Sequence, residues 1–379
     1  MSIPSLAAEW SIVPSMSTKA YFNDNLLLTP LPHDPTYGYW ISPELEFAGK
    51  TERLEVSGKV GLDFVDYYGG ERSQFTNIHL PLSAKYKTET DVFSFNGGFT
   101  RDNTLMGELR STGVVLRFTQ RNLFTLNPTW TRTISEKLDF QGALQFSNAS
   151  YQDGIRLGLV DYQVFGGSAG LHYHATEQDD IQVAGTYSNF HTVNAPFSLR
   201  ASLPGLIMSV SHMFTETVKG TVYAGPRFVN STSRQAGDSV KTQDAVWVYG
   251  ATIGEQFEKS TLQFTLAREI FPSGLGLLVE TDRVGMTASY EVSEVITASF
   301  DASGYFTSPL AGGAGGRTFP DNRYFYLTPQ ISWQFLKWWK LDVSYGYRWR
   351  DVDTFVEPVM ANAVTFMLTY YPPKLSSSQ

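Results

Sequence analysis

Apolar and polar residues alternate with a period of two along almost the whole chain, for example over residues 54–64, 138–147 and 364–370. This period indicates β-strands with one apolar and one polar face. The runs are about ten residues long, which a tilted strand needs to cross a bilayer, whereas strands of soluble proteins are nearer five or six. Because strands cross lipid only as a closed barrel, the pattern predicts an all-β transmembrane barrel.

Short polar turns alternate along the chain with longer loops rich in Gly, Pro, Asn and Asp. This asymmetry is typical of antiparallel up-and-down barrels with short periplasmic turns and longer extracellular loops. The spacing predicts about 18 strands, with both termini on the turn side. We find no helical segment, linker or plug, so residues 1–379 are predicted to form a single domain. Residues 1–8 are interpreted as a flexible remnant of a removed export leader, and residues 374–379 as a flexible tail.

Three prolines fall inside predicted strands, at Pro43, Pro128 and Pro329. Proline has no backbone N–H to donate to a neighbouring strand. We therefore expect a bulge, a membrane-interface position or a local break in pairing at each of them.

Composition narrows the classes of partner. Aromatic residues make up 14% of the chain, although the mean hydropathy is only -0.18. A membrane barrel displays such rings to lipid while its lumen stays polar. The net charge of -8 argues against a nucleic-acid partner, which needs a basic surface. With no cysteine, the chain has neither disulfides nor thiol-ligated metals.

Several short motifs resemble a family of outer-membrane porins found in exopolysaccharide biosynthesis and secretion loci, some linked to PEP-CTERM sorting systems. These motifs lie at residues 10–15, 21–25, 225–227, 271–276, 280–283 and 370–373. The resemblance implies the outer membrane of a Gram-negative bacterium, a polysaccharide cargo and a periplasmic export partner. It brings no catalytic residues.

The polar parity of the strands predicts the residues that line the lumen. Charged side chains there can set selectivity by contacting acidic groups of a solute, or can pair with one another and keep the wall hydrated. Tyrosines of the same parity are candidates for contacts with sugars, whereas outward rings are expected to form interfacial girdles. The predicted lining residues are Arg117, Arg121, Arg227, Arg348, Arg350, Glu44, Glu55, Lys59, Asp63, Asp301, Tyr223, Tyr324 and Tyr326, and Glu255 is given the same parity.

No metal, cofactor or catalytic site is predicted. His172 and His174 share a strand face, but the sequence places no carboxylate or third histidine in an obvious partner position. No Ser/His/Asp set or carboxylate pair stands in a catalytic context, so the chain is not expected to be an enzyme.

Three functions remain open for a barrel embedded in outer-membrane lipid. The first is passive export of an exopolysaccharide or other hydrophilic polymer. The second is a general or small-solute diffusion porin, and the third is a closed barrel that acts as a surface receptor or assembly scaffold. A narrow, specific porin would show one long loop folded inside the barrel, and no loop in the sequence is conspicuously long.

Overall fold

The computed structural model describes residues 9–70, 72–114, 117–193, 197–235, 238–310 and 320–378. Strands dominate it, because β-branched and aromatic residues alternate with polar ones along each run. The strands are β1 (Glu9–Asn23), β2 (Thr36–Lys50), β3 (Leu54–Gly69), β4 (Ser73–Lys87), β5 (Asp91–Asn103), β6 (Gln120–Ser135), β7 (Leu138–Tyr151), β8 (Asp161–His174), β9 (Asp179–Val193), β10 (Ser198–Met213), β11 (Val218–Gln235), β12 (Asp238–Gln256), β13 (Ser260–Pro272), β14 (Leu278–Ser293), β15 (Ile296–Pro309), β16 (Asn322–Leu336), β17 (Trp339–Val352), β18 (Val359–Tyr370) and β19 (Leu375–Ser378).

The strands form one closed antiparallel barrel. Each pairs with its neighbours in sequence, and β1 pairs with both β2 and β18. The last strand is broken in two: β18 and the short β19 both pair with β1, with Pro372 and Pro373 in the break. The prediction of about 18 strands is confirmed. Within the predicted flexible tail, Leu375–Ser378 is paired with β1, and residues 1–8 lie outside the described residues.

The 18 barrel strands have 12–19 residues, so the prediction of about ten was too short. At about 3.3 Å per residue, most of these strands are longer than a bilayer core requires. The excess is largest in β11 and β12, which have 18 and 19 residues. Among the described residues, β12 pairs with β13 only over Tyr249–Gln256. It pairs with β11 over residues 238–255, which is nearly its full length.

The two ends of the barrel differ. Short turns such as residues 51–53, 88–90 and 136–137 join strands at one end, which we call the turn end. The longer connections, at the loop end, contain two helices, α1 (Thr104–Thr112) and α2 (Gly154–Leu157). The prediction of a chain without helices was therefore wrong. Neither described helix has the length and apolar character needed to span a membrane.

The three prolines for which a disturbance was expected interrupt pairing on one side only. Pro43 pairs with β1 but has no partner in β3, and Pro128 pairs with β5 but has none in β7. Pro329 likewise pairs with β15 and not with β17. Each ladder resumes in the same register beyond the proline, so the expected local break is confirmed and no residue is inserted there.

Candidate functional site

The inner and outer faces of the wall are distinguished by what they contact. On β7, Ala149 and Tyr151 are buried in a cluster with residues of the loop end, so their parity is the inner face, which Gln145 shares. Leu144 has the other parity and is 55% exposed. Exposed apolar side chains of outward parity surround the barrel, as in Gram-negative outer-membrane barrels; they include Phe64, Phe93, Phe165, Leu206, Val222, Phe264, Val284 and Phe366.

The connection between β5 and β6 folds into the lumen. The side chain of Asn103 caps the first turn of α1 by accepting the N–H of Met106 at 2.9 Å. The helix ends at Gly113, whose φ of 72° suits glycine. A Cβ at Gly113 would lie 2.6 Å from the Cβ of Tyr305, so glycine also allows the close approach to β15.

The far end of α1 is attached to the opposite side of the barrel. Asn322 at the start of β16 donates from Nδ2 to the Gly113 oxygen at 2.7 Å. Thr307 on β15 donates from its hydroxyl to the Thr112 oxygen at 2.5 Å. Because β5 lies far from β15 and β16 in the closed ring, these bonds hold α1 across the lumen.

A buried carboxyl group makes a second attachment. Glu108 is 1% exposed, and its Oε2 accepts the N–H of Gly274 in the connection between β13 and β14 at 2.9 Å. Burial raises the pKa of the Glu108 carboxyl to about 7, although the nearby Arg121 and the Gly274 N–H both favour the charged form. Arg121 itself is held by Asp102 through two hydrogen bonds of 3.0 and 2.8 Å.

Apolar side chains fill the loop end on both sides of α1. The first apolar cluster contains Leu26, Leu28, Trp40, Val65, Tyr67, Leu105, Leu109, Tyr305, Tyr324, Val359 and Ala361. The second contains Val114, Ala149, Tyr151, Leu159, Val160, Tyr162, Val164, Phe190, Phe197, Leu199, Ala201, Leu203, Val229, Val246, Leu277 and Leu278. Both combine residues of the connections with inward residues of the wall, so the passage is narrowed at this end.

The half of the lumen at the turn end is more accessible to water than the half at the loop end. Gln145, Gln263 and Thr287 have inward parity and are nevertheless exposed. A cavity of about 430 Å³ borders the second apolar cluster and is lined in part by Tyr223 and Arg227. The solvent-filled part of the lumen therefore reaches from the turn end up to the apolar clusters.

Arginine and tyrosine side chains face the lumen from β14 to β17. In register, Arg348 is opposite Tyr326, and Arg350 is opposite Tyr324. Arg350 donates from Nε to the Asn322 side chain at 3.0 Å, beside the attachment of α1. The guanidinium of Arg283 lies 5.6 Å from the ring of Tyr305, within cation–π distance.

Most luminal carboxylates have a cation beside them. Lys59 lies 2.6 Å from Glu44, and the His79 ring lies 3.2 Å from Asp63. Glu55 is 3.5 Å from Lys87. In contrast, within the part of the chain that the structure describes, no carboxylate lies at ion-pair distance from Arg283, Arg348 or Arg350. These arginines leave net positive charge on one side of the lumen.

The predicted lining residues are placed as follows. Twelve have inward strand parity: Arg121, Arg227, Arg348, Arg350, Glu44, Glu55, Lys59, Asp63, Asp301, Tyr223, Tyr324 and Tyr326. Arg117 is not on a strand; it is exposed in the segment between α1 and β6, because that connection continues to Thr119. Glu255 points outward, since it pairs with Leu262 and Val218 on the lipid-facing parity.

The interpretation of the sequence missed α1, although it contains signals for a helix. Asn103 followed by Thr104 is a typical start, and Gly113 is a typical end. Leu105 and Leu109 are four residues apart and both pack in the first apolar cluster. The helix has only nine residues, and its composition resembles that of the neighbouring strands. It was therefore not distinguished from the period-two pattern of the rest of the chain.

No protein-family model and no curated protein matches the chain, so the resemblance to exopolysaccharide-locus porins stays a prediction. Solved structures similar to it include Pseudomonas aeruginosa OccK9 (OpdG), with a TM-score of 0.47 and 9% identity over 97% of this chain and 98% of that one. Acinetobacter baumannii OccAB2 gives a TM-score of 0.46 and 11% identity over 96% and 98%. P. aeruginosa OpdK, solved with vanillate, gives 0.43 and 8% over 98% and 99%.

Proposed function

We propose that this chain is an outer-membrane channel for passive diffusion of small hydrophilic solutes. The observation that carries the proposal is α1, which is fixed across the lumen by Asn322 and by the Gly274 N–H. A helix held at both ends, with apolar clusters on either side, restricts the passage to small molecules. A hydrated polymer would need this whole arrangement to move, so export of exopolysaccharide is disfavoured.

We further propose that the channel prefers anionic solutes. Arg283, Arg348 and Arg350 face the lumen from β14 and β17, and no carboxylate of the described residues lies at ion-pair distance from them. Glu44, Glu55 and Asp63, in contrast, each lie beside a basic side chain. Rings and rows of one charge sign along a pore set its selectivity. Because guanidinium groups bind carboxylates and phosphates through paired hydrogen bonds, small organic acids are the expected class of solute.

The receptor alternative is supported less well. A receptor is expected to present apolar or aromatic residues on exposed loops, but Leu26 and Leu28 of the first connection are buried in the lumen. These two leucines narrow the passage instead of binding a partner outside. Leu31, Ile155 and Val356 of the same end are exposed, and a receptor function would have to rely on them.

Pore sizing in planar bilayers tests the proposal. The refolded protein is inserted at high salt, and neutral polymers of graded size are added to each side. We expect a small conductance that falls when the smallest polymers are added from the turn end, where the lumen is hydrated. A large conductance reduced only by large polymers would contradict the proposal and restore polymer export. A barrel without any conductance would favour the receptor function.

A further inference from the structure

Two histidines and two aspartates meet on the inner face near the turn end. Asp139 on β7 is directly opposite His172 on β8, and His174 is directly opposite Asp180 on β9. His172 and His174 are two residues apart, so both project from the same face of β8. Strand pairing thus assembles four metal-binding side chains from three neighbouring strands.

The distances between their polar atoms are short. His174 Nε2 lies 3.2 Å from Asp139 Oδ2, and His172 Nε2 lies 3.5 Å from Asp180 Oδ1. The two imidazole rings are 4.5 Å apart between centroids. One ligand atom from each of Asp139, His172 and His174 can be chosen so that all lie within 4.8 Å of one another.

These separations approach those of a coordinated ion. Two donor atoms about 2.1 Å from a tetrahedral Zn²⁺ lie roughly 3.4 Å apart, so the three donors need to approach one another by little more than 1 Å at most. The side chains are between 17% and 37% exposed to the lumen. Water can therefore complete the coordination shell, and an ion can enter from the turn end.

The fourth residue supports one of the ligands. Asp180 Oδ1 lies 2.6 Å from His174 Nδ1 and accepts its proton in the tautomer that leaves Nε2 free. A carboxylate that receives the second N–H of a metal-bound imidazole fixes the orientation of its ring and raises its basicity. Nε2 is the atom that faces Asp139.

We propose that Asp139, His172 and His174 bind a divalent transition-metal ion such as Zn²⁺ at the turn end of the lumen. Asp180 is the positioning residue for His174. Imidazole nitrogens with one carboxylate suit zinc, nickel and copper, whereas calcium and magnesium require an oxygen shell. Ion pairing between these histidines and aspartates alone is the alternative, and it predicts no metal binding.

The remaining histidine at this end provides a matched control. His212 Nδ1 lies 2.7 Å from Asp179 Oδ1, which repeats the His–Asp contact. Asp179 and His212 are each adjacent in sequence to an inward residue, Asp180 and Ser211 respectively. Their side chains therefore lie on the outer face of the same region. The His212–Asp179 pair thus has the same side-chain types at the same level of the barrel, but it does not belong to the cluster of Asp139, His172 and His174.

The test is calorimetric titration of Zn²⁺ into refolded protein that carries no histidine tag. We expect one ion per chain at micromolar concentration. Combined His172→Ala and His174→Ala should weaken binding at least about 100-fold, and Asp180→Asn about 10–100-fold, the usual effect of losing a supporting carboxylate. His212→Ala should bind as the unaltered protein does.

Absence of binding below millimolar Zn²⁺, or equal loss in His212→Ala, would overturn the proposal. If the double variant does not fold, as judged by circular dichroism, Asp139→Asn replaces it and should weaken binding at least 10-fold. Co²⁺ absorption provides a second measurement, because tetrahedral coordination by nitrogen and oxygen gives visible bands that the variants should lose. None of these measurements requires the barrel to conduct.

Discussion

Adjacent side chains of one strand lie on opposite faces of the wall, so one must suit lipid and the next must suit water. Leu144 faces lipid and Gln145 faces water, although the two are adjacent on β7. The same division places Arg348 and Arg350 in the lumen, while Arg323 on β16 points outward and pairs with Asp351 at 3.4 Å. At this scale the period of two assigns the face of most strand residues without knowledge of the partner strand. It nevertheless placed Glu255 on the wrong face and took Arg117 for a strand residue.

Replacing Leu144 with Arg should therefore hinder assembly in the membrane. The cost is about 2–4 kcal/mol if the position lies near the middle of the bilayer. Gln145→Arg, one residue along, places the same charge in the lumen and should cost little. Urea titration of folded protein in vesicles, followed by gel mobility, compares the two. Equal stability of both variants would mean that the faces are assigned wrongly.

Neutralising Arg348 and Arg350 together with glutamine should move selectivity toward cations. Both charges face the lumen and have no ion-pair partner in the described part of the chain, and charged groups along a pore set its selectivity. The reversal potential in a salt gradient should shift toward the cation equilibrium value. Arg323→Gln is the matched control, because it removes a guanidinium on the outer face, and should leave the potential unchanged. An unchanged reversal potential in the double variant would show that these arginines do not lie along the ion path.

At the scale of helices and strands, the sequence predicts some features of the structure and not others. Turns, loops and the number of strands follow from local composition, and they agree with the structure. The inward path of α1 depends on contacts between residues more than 160 positions apart in the chain, such as that of Asn322 with Gly113. The cluster of Asp139 with His172 and His174 also depends on register between strands. Neither pairing has a local signature, so neither could be derived from periodicity.

Weakening the attachment of α1 should widen the channel. Asn322→Ala together with Thr307→Val removes both donors to the end of the helix without altering its sequence. We expect larger single-channel conductance and more frequent current fluctuations. Asn96→Ala is the control, since Asn96 is an inward residue of β5 that bonds with Ser83 and not with α1. Unchanged conductance in the double variant would show that α1 does not limit the passage.

At the scale of the whole molecule, the charge of Glu108 affects how the lumen is closed. The pKa of Glu108 rises from its ordinary value near 4.5 to about 7 when α1 is docked, despite Arg121 nearby. The docked state therefore binds the proton more tightly than an undocked state does. Docking is therefore strongest below about pH 4.5 and weakens as the pH rises from there to about 7, because the docked carboxyl must either keep a proton or bury a charge. Above about pH 7 the group is ionised in both states and docking changes no further.

Conductance should consequently increase, with more fluctuation, between pH 5.5 and pH 8. Glu108→Gln keeps the shape and a hydrogen-bond acceptor for the Gly274 N–H but cannot ionise, so its conductance should be independent of pH over this range. Glu136→Gln, in a turn far from α1, should retain the dependence of the unaltered protein. Persistence of the full pH effect in Glu108→Gln would assign it to another group.

The length of the hairpin formed by β11 and β12 has a consequence for neighbouring molecules. Before Tyr249, β12 is paired on one side only among the described residues, so its other side is a free edge. Such edges are templates on which a second chain can add a strand. Lys241 and Asp244 place charges along this edge, which discourages a neighbouring barrel from pairing with it in a crowded membrane. The hairpin can thus extend above the lipid without joining one barrel to the next.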